Sequence, residues 1–334
     1  MTTLAFVAAF CVVAVLVYMA RYSGRLRASH TRVIGAPLAE IYARVVDLRQ
    51  WADWNPWLEP EAGGLEFAAP DAGAARNSFR WSYAGVDAGE IELAETRAPG
   101  RIEQRMRLKR PFRFRARGSW QFSEADGGTR ATWSVRGRVA FSMRAFAATV
   151  QGALALDLRY GLDRLAALVE SADAPRYAIS CPGVREIDSI RYAYILHSGP
   201  LGGLGKALHD AVAELRRTLA SRDVAATAEP IAVYVRTNIK RRTTVCHLGI
   251  PIGAAAVDGV SVAVLPAHRA FVARLDGSPA QIEVAWYLAM RRVSAESLQP
   301  DLRITPFERY LTAFDGTREE GSVIELYIPV RIAT

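Results

Sequence analysis

The sequence predicts an α+β protein that begins with a transmembrane helix, and three observations lead to this prediction. Residues 2–20 contain no charge and no Asn, Gln, Gly or Pro. Residues 79–139 contain successive strand-like runs separated by turn signals such as Pro99 followed by Gly100. Over 146–169 the apolar residues recur every three or four positions, which is the spacing of a helix with one buried face.

The composition limits the class of protein. The chain has 334 residues, of which 51% are hydrophobic and 23% charged, so it can bury sizeable cores and is not a disordered chain. Its three cysteines lie far apart without a CxxC pair, and none of its five histidines lies in an HExxH or HxH pattern. We therefore expect no disulfide framework, no metal site and no cofactor.

The apolar segment 2–20 is long enough to cross a bilayer. Its 19 residues would span roughly 28 Å as a helix. A cleaved signal peptide is the alternative, but no Lys or Arg precedes the apolar stretch, as a signal peptide would require. Four arginines follow the segment: Arg21, Arg25, Arg27 and Arg32. The positive-inside rule then predicts a single-pass protein of the cell membrane, anchored by residues 1–22, with its body in the cytoplasm.

Two blocks follow the anchor. The first, 28–171, is predicted to contain a helix beginning near Pro37, then an aromatic stretch with a turn, a series of antiparallel strands and a long final helix. A short linker containing Pro175 separates it from the second block, 176–334. That block contains two similar β-α-β-β units of roughly 75–80 residues, which predicts a pseudo-symmetric α+β domain. Such a duplication favours a ligand cleft between its halves.

The first block resembles a known family. It contains Ala36-Pro37, followed by Trp51, Trp54 and Asn55-Pro56, and then by the strands and the final helix in order. Over about 33–170 this arrangement resembles the START-like polyketide cyclase/dehydrase superfamily. The resemblance implies a helix-grip fold, in which an antiparallel sheet curls around one helix and encloses an apolar pocket. It implies no catalytic residue.

The second block resembles the gyrase-inhibitor-like effector-binding domain over about 176–332. The matching segments are 193–200, 269–271 and the tail 307–330. The resemblance implies a cleft for hydrophobic, often cationic small molecules, lined by aromatics around a central buried glutamate. Glu308 matches that glutamate, and Glu325 lies in the other matching strand.

The predicted ligand-binding residues are two carboxylates and four aromatic side chains: Glu308, Glu325, Tyr194, Phe271, Trp286 and Tyr310. Tyr234 and Tyr287 are further candidates for the aromatic walls. A carboxylate among aromatics attracts a cation strongly, because the effective dielectric constant is low there and ring faces add cation–π contacts. The alternative is that both glutamates face solvent and that each aromatic belongs to a core.

A basic ribbon, 101–117, carries eight Lys or Arg and one Glu, which is +7 of the chain's net charge of +8. A solvated outer sheet face is one interpretation, and contact with anionic lipid is another. Nucleic acid is a weaker candidate because no helix-turn-helix precedes the second block.

Nucleophilic catalysis has little support in the sequence. Cys246 and His247 are neighbours in a strand-like run, so their side chains should point to opposite faces and cannot form a dyad. No GxSxG motif indicates a serine nucleophile.

We therefore expect a membrane-anchored protein that sequesters or senses a hydrophobic or amphipathic small molecule through two tandem pocket domains. The alternatives are a hydrolase or cyclase with Glu308 as general base, and a structural protein whose pockets are filled by its own side chains.

Overall fold

The computed structural model describes residues 13–58, 65–67, 78–83, 87–110, 113–170, 177–239, 241–254, 258–312 and 321–331. Its contacts divide the chain into two units, Met1–Ala174 and Pro175–Thr334. Each unit combines one large antiparallel sheet with a small number of helices. The predicted α+β class with antiparallel sheets is therefore confirmed.

The N-terminal segment is described only in part. Residues 13–20 are helical, whereas residues 2–12 of the predicted membrane span lie outside the described residues. Among the helices that are described, none is both long and apolar enough to cross a membrane. The helical part exposes apolar side chains, including Val13, Val15 and Leu16.

The first unit contains a seven-stranded sheet in the order β1-β7-β6-β5-β4-β3-β2, and all its neighbouring strands are antiparallel. Its strands are β1 (Arg25–Ile34), β2 (Leu65–Phe67), β3 (Ser78–Tyr83), β4 (Asp87–Arg97), β5 (Arg101–Arg110), β6 (Phe114–Ala125) and β7 (Gly128–Val139). Its helices are α1 (Leu38–Val46) and α2 (Ala147–Val169).

Strand β1 is an element that the sequence analysis missed. We interpreted Arg25 and Arg27 only as charges flanking a membrane helix. The structure places them on a strand in which Arg25 and Arg27 are exposed while Leu26 and Ala28 are buried. The alternation of arginine with a small or apolar residue is the usual pattern of a half-buried strand, and here it pairs with β7.

Helix α2 closes the sheet, as the apolar spacing predicted. Its buried residues Leu154, Leu158, Leu162 and Leu165 recur on one face. This face packs on β1 and β7. Because one stripe of the helix and one face of the sheet lose contact with water together, their apolar burial holds the unit together.

The second unit contains a sheet in the order β12-β9-β11-β10-β15-β16-β13-β8, with β14 added beside β16. Its strands are β8 (Ala178–Ile187), β9 (Ile190–Pro200), β10 (Ile231–Asn238), β11 (Thr243–Pro251), β12 (Ser261–Leu265), β13 (His268–Asp276), β14 (Gln299–Pro300), β15 (Phe307–Tyr310) and β16 (Val323–Arg331). Its helices are α3 (Leu204–Ala220) and α4 (Ile282–Ala295).

The strand order of this sheet is symmetric about its central pair, β10 and β15. On one side β11 and β9 follow, and on the other β16 and β13. The outermost strands are exchanged, since β8 pairs with β13 of the second half and β12 pairs with β9 of the first. Helix α3 packs on β9 and β11, and α4 packs on β13, β16 and β8. The two halves thus interlock, and their symmetry axis passes between β10 and β15.

The sheet of the second unit has two different buried faces. On the helix-side face, residues such as Leu326 and Tyr310 pack with residues of α3 and α4. On the far face, a second cluster includes Phe307, Tyr327 and Tyr192 and contains no helix residue. Because successive side chains of a strand alternate between faces, neighbouring residues of β15 and β16 belong to different clusters.

Candidate functional site

Glu308 lies at the centre of the second sheet. It is on β15, directly opposite Ala232 of β10 and Leu326 of β16. Both partners belong to the helix-side core, so the Glu308 side chain points toward the helices. Its exposed fraction is 0%. An acidic residue is rarely buried to this degree without partners, which makes its surroundings informative.

Three aromatic side chains donate hydrogen bonds to the Glu308 carboxylate. The Tyr234 hydroxyl donates to Oε1 at 2.7 Å, and the Trp286 indole Nε1 donates to the same oxygen at 2.6 Å. The Tyr310 hydroxyl donates to Oε2. These donors come from β10, α4 and β15, so three separate elements meet at one carboxylate. We call Glu308 and these three side chains the carboxylate cage.

The cage contains no positive charge. Within the described residues, Glu308 forms no ion pair with Lys, Arg or His. Burial raises the pKa of Glu308 above its ordinary value, although the hydrogen bonds from Tyr310, Trp286 and Tyr234 act in the opposite direction. The phenol pKa values of Tyr234 and Tyr310 are raised by burial and by the neighbouring Glu308. The two phenols therefore stay protonated and keep donating.

Cys246 lies beside the cage but has the wrong protonation state for a nucleophile. Its burial, with a smaller effect of Glu308, raises the thiol pKa to about 12. It belongs to the helix-side core, whereas the adjacent His247 stacks on Tyr194 with ring centroids 3.8 Å apart. Tyr194 packs against the far-face cluster. The neighbouring Cys and His thus point to opposite faces, as strand geometry predicts.

Glu325 does not share the site of Glu308. It lies opposite Arg309 of β15, one position from Glu308, and therefore faces the other side of the sheet. Its carboxylate accepts a hydrogen bond from the Tyr327 hydroxyl and pairs with Arg185 Nη1 at 3.2 Å. The two predicted carboxylates have the sheet between them, so they do not line one cleft.

The six predicted ligand-binding residues are thus separated into three groups. Glu308, Trp286 and Tyr310 meet in the carboxylate cage. Phe271 is fully buried in the helix-side core, on β13. Tyr194 and Glu325 lie on the far side of the sheet.

Tyr234 completes the cage, and sequence analysis gave it only the role of an aromatic wall. A signal was present, because Tyr234 and Glu308 both fall in short strands of the repeated units. Their pairing could not be predicted, because which strands of the two halves become neighbours is a property of the sheet.

The interior of the first unit is occupied by indoles. Six tryptophans form a connected group with aromatic contacts, namely Trp51, Trp54, Trp57, Trp81, Trp120 and Trp133. The closest pair, Trp120 and Trp133, stacks with centroids 4.5 Å apart. Trp57 Nε1 donates to Asp157 of α2 at 2.9 Å. The resemblance implied an apolar pocket in this interior, and the structure places these large side chains there.

One protein family matches part of the chain. A family model described as polyketide cyclase / dehydrase and lipid transport matches residues 25–170. The resemblance inferred from the sequence of the first block is therefore confirmed, and the match also includes strand β1. No curated protein matches the chain.

The chain is similar to several solved structures over just under half of its length. Protein CV1439 from Chromobacterium violaceum has 19% identity and a TM-score of 0.34, and the similarity covers 44% of this chain and 98% of that one. The EcmrR C-terminal domain has 14% identity and a TM-score of 0.38, with 47% and 99% covered. SAV2435 bound to tetraphenylphosphonium has 11% identity and a TM-score of 0.33, with 47% and 94% covered. Similarity at this level assigns no function.

Proposed function

We propose that this protein is a membrane-anchored binding protein that sequesters or senses hydrophobic or amphipathic small molecules, and that its second unit binds a hydrophobic cation at Glu308. One observation carries the proposal. A fully buried carboxylate accepts three hydrogen bonds from aromatic side chains and, among the described residues, has no cationic partner.

A cation is the ligand that suits this carboxylate. Burying a carboxylate without a counter-charge is unfavourable, and the raised pKa of Glu308 expresses that cost. A cation in contact with Glu308 would neutralise its negative charge, and the low local dielectric constant would strengthen the attraction between the two charges. The rings of Tyr234 and Trp286, with centroids 5.8 Å apart in an edge-to-face arrangement, would add cation–π and apolar contacts.

Trp286 is the side chain that controls access to Glu308. Tyr234 and Tyr310 belong to the sheet, whereas Trp286 belongs to a helix that packs on it. Because the carboxylate is fully buried, a ligand that reaches it has to displace a side chain that covers it. Replacing the Trp286 indole requires only a movement of α4 or of its side chain, so we place the ligand's entrance there.

The second unit is, on this proposal, a gyrase-inhibitor-like effector-binding domain. The symmetric strand order and the placement of Glu308 at the symmetry axis support this assignment. The first unit would bind an apolar ligand such as a lipid against its cluster of tryptophans, whose side chains would have to move to admit it, in keeping with the family that matches it. Residues 2–20 would hold both units at the cytoplasmic surface of the cell membrane, where ligands that partition into lipid are concentrated.

Tetraphenylphosphonium and tetraphenylborate provide the test, because they have the same shape and opposite charge. We expect the full chain in neutral detergent to bind the cation and not the anion in isothermal titration calorimetry. Glu308→Gln keeps the size of the side chain and removes its charge. If the charge contributes about 1.5–3 kcal/mol, affinity for the cation should fall roughly 10- to 150-fold.

Glu325→Gln is the matched control, since it removes the same charge from the opposite face of the same sheet. It should leave binding of the cation within about twofold of the wild type, because the Glu325 side chain lies on the other face of the sheet, where it bonds Tyr327 and Arg185. Equal affinity of the wild type and Glu308→Gln for tetraphenylphosphonium, with both variants folded, would exclude Glu308 as the binding carboxylate.

A hydrolase with Glu308 as general base is the second candidate. It is favoured by the raised pKa of this carboxyl, because a base works best when its pKa approaches the operating pH. The two functions differ in whether the ligand is changed. A phenyl ester that carries a quaternary ammonium group should be recovered intact after incubation if the protein is a binder, and cleaved by the wild type but not by Glu308→Gln if it is an enzyme.

A further inference from the structure

The outer face of the first sheet carries a regular array of arginines. Two rows run across four neighbouring strands, β5, β6, β7 and β1. In one row Arg107, Arg115, Arg138 and Arg25 are directly opposite one another; in the other, Arg105, Arg117, Arg136 and Arg27. All eight are exposed. We call these eight residues the arginine lattice; with strands about 4.8 Å apart, each row is about 14 Å long.

The lattice extends beyond the basic ribbon seen in the sequence. Only four of its members lie within 101–117, and the other four come from β1 and β7. Within the described part of the chain, Arg105 is the one member that forms an ion pair, with Glu92 of β4 at 3.5 Å. On β4 the two rows end at glutamates, Glu90 opposite Arg107 and Glu92 opposite Arg105. The eight arginines outnumber these two carboxylates, so the lattice keeps a strong positive charge.

The arrangement differs from that of an ordinary solvated face. Like charges directly opposite on neighbouring strands are destabilising, and each row contains three such pairs. The charges are also segregated along the strands. On β1 and β7 the next outward positions carry hydroxyl groups, where Ser29 bonds Ser134 and Thr31 bonds Thr132, and on β5 the corresponding position is Glu103, which pairs with Arg101. Soluble surfaces usually intersperse charges of both signs, so concentrated positive charge at one end indicates an anionic partner.

The lattice lies at the end of the sheet nearest the apolar N-terminal segment. Arg25 follows the described helix 13–20 after four residues. At the same end, Val139 N donates to Gly24 O, and Phe141 and Phe146 follow with 41% and 54% of their surface exposed. Exposed aromatic and apolar groups beside clustered arginines are typical of surfaces that contact the headgroup region of a bilayer.

We propose that the arginine lattice binds the surface of an anionic lipid bilayer, with Phe141 and Phe146 entering the interface at its edge. The guanidinium groups would contact lipid phosphates and carboxylates, which Arg recognises through paired hydrogen bonds. The contact would fix the orientation of the first unit on the membrane. It is independent of the ligand proposed for Glu308.

Arginine footprinting on the full chain tests this proposal. The protein is placed in nanodiscs of phosphatidylcholine, either alone or with phosphatidylserine added. Exposed arginines are then modified with phenylglyoxal, and mass spectrometry measures the extent of modification at each arginine. The attraction between one arginine and an anionic membrane surface is about 1 kcal/mol, which corresponds to a change of about fivefold in the ratio of membrane-bound to free side chain. We expect labelling of the lattice arginines to fall by about this factor with phosphatidylserine, and to recover at high salt. Arg130 is the internal control, since it is exposed on the same face of β7 but lies six residues, or about 20 Å, from Arg136; its labelling should change less than that of the lattice.

A pair of variants separates the lattice from net charge. Replacing Arg115, Arg117, Arg136 and Arg138 by Gln should remove the protection of the remaining lattice arginines. Replacing Arg216, Arg217, Arg222 and Arg241 by Gln removes the same charge elsewhere and should preserve it. Equal labelling of the wild-type lattice in both lipids would overturn the proposal. So would protection by a DNA duplex in phosphatidylcholine nanodiscs without protection by phosphatidylserine, which would identify nucleic acid as the partner.

Discussion

The indole Nε1 of Trp286 donates a hydrogen bond to Oε1 of Glu308 at 2.6 Å, and this bond joins helix α4 to the central strand β15. The same oxygen accepts from Tyr234 of β10, so a single atom connects the two halves of the repeated unit. The contact therefore holds helix α4 on the sheet. On the proposed function, it is also the contact that an entering ligand displaces. Each consequence can be measured.

Binding of tetraphenylphosphonium should weaken as the pH falls. The charge of this probe does not change with pH, whereas Glu308 loses its charge as the pH drops through its raised pKa. Above that pKa the affinity should be constant. Below it the affinity should decrease, by at most about tenfold for each pH unit, until it reaches the affinity of Glu308→Gln. Calorimetric titration across the acidic and neutral range measures this, and Glu325→Gln should show the same profile. A flat profile for the wild type would mean that the probe does not contact an ionising Glu308.

The stability of Glu308→Gln relative to the wild type should increase as the pH rises from acidic to neutral. Because the folded-state pKa of Glu308 is above its ordinary value of 4.5, the unfolded state loses its proton first as the pH rises. The wild type therefore loses stability between that value and the raised pKa, and the Gln variant does not. We expect the difference in melting temperature to shift in favour of the variant across this range, by about 2–4 °C for each kcal/mol of cost removed.

Differential scanning calorimetry at several pH values measures this effect. Glu308→Ala is the contrasting variant, since it leaves three buried donors without an acceptor. It should destabilise the second unit by about 2–5 kcal/mol at every pH. A Gln variant whose melting temperature follows the wild type in parallel at all pH values would show that the pKa of Glu308 is not raised.

Gly161→Ala should destabilise the first unit, whereas Gly152→Ala in the same helix should not. A Cβ at Gly161 would lie 2.8 Å from Trp133 Cζ3 and 2.9 Å from Pro56 Cδ, whereas one at Gly152 meets nothing within 4 Å. Overpacking of this kind typically costs about 1–3 kcal/mol, whereas Gly→Ala at an exposed helix position typically gains up to about 1 kcal/mol. Urea unfolding followed by tryptophan fluorescence reports mainly on this unit, which holds six of the seven tryptophans. Equal effects of both substitutions would mean that α2 does not pack closely on Trp133.

Cys246 should resist thiol reagents in the folded protein. It is fully buried and burial raises its thiol pKa to about 12, so very little thiolate exists at neutral pH. Cys181, which is partly exposed, should react first. Mass spectrometry after timed iodoacetamide labelling distinguishes the two, and labelling in denaturant is the control for intrinsic reactivity. Modification of Cys246 at the rate of Cys181 would contradict the closed cage.

The sequence predicted the features that depend on local periodicity. The spacing of apolar residues over 146–169 predicted helix α2, and the turn signals between the strand-like runs of 79–139 predicted the antiparallel strands of the first unit. Glu308 was identified through a family resemblance, and the structure shows its burial. The strand β1 was missed because its arginines also fit a membrane-flanking segment.

What the sequence determined by itself is the alternation and spacing along each element, since these follow from the fixed geometry of helices and strands. What only the tertiary structure decided is which elements become neighbours. Strand pairing set Tyr234 and Trp286 against Glu308 and separated Glu325 from it by the thickness of the sheet. It also aligned arginines from four strands into one lattice. Such contacts join residues far apart in the chain, and they are selected by the burial of whole sheet faces rather than by any local pattern.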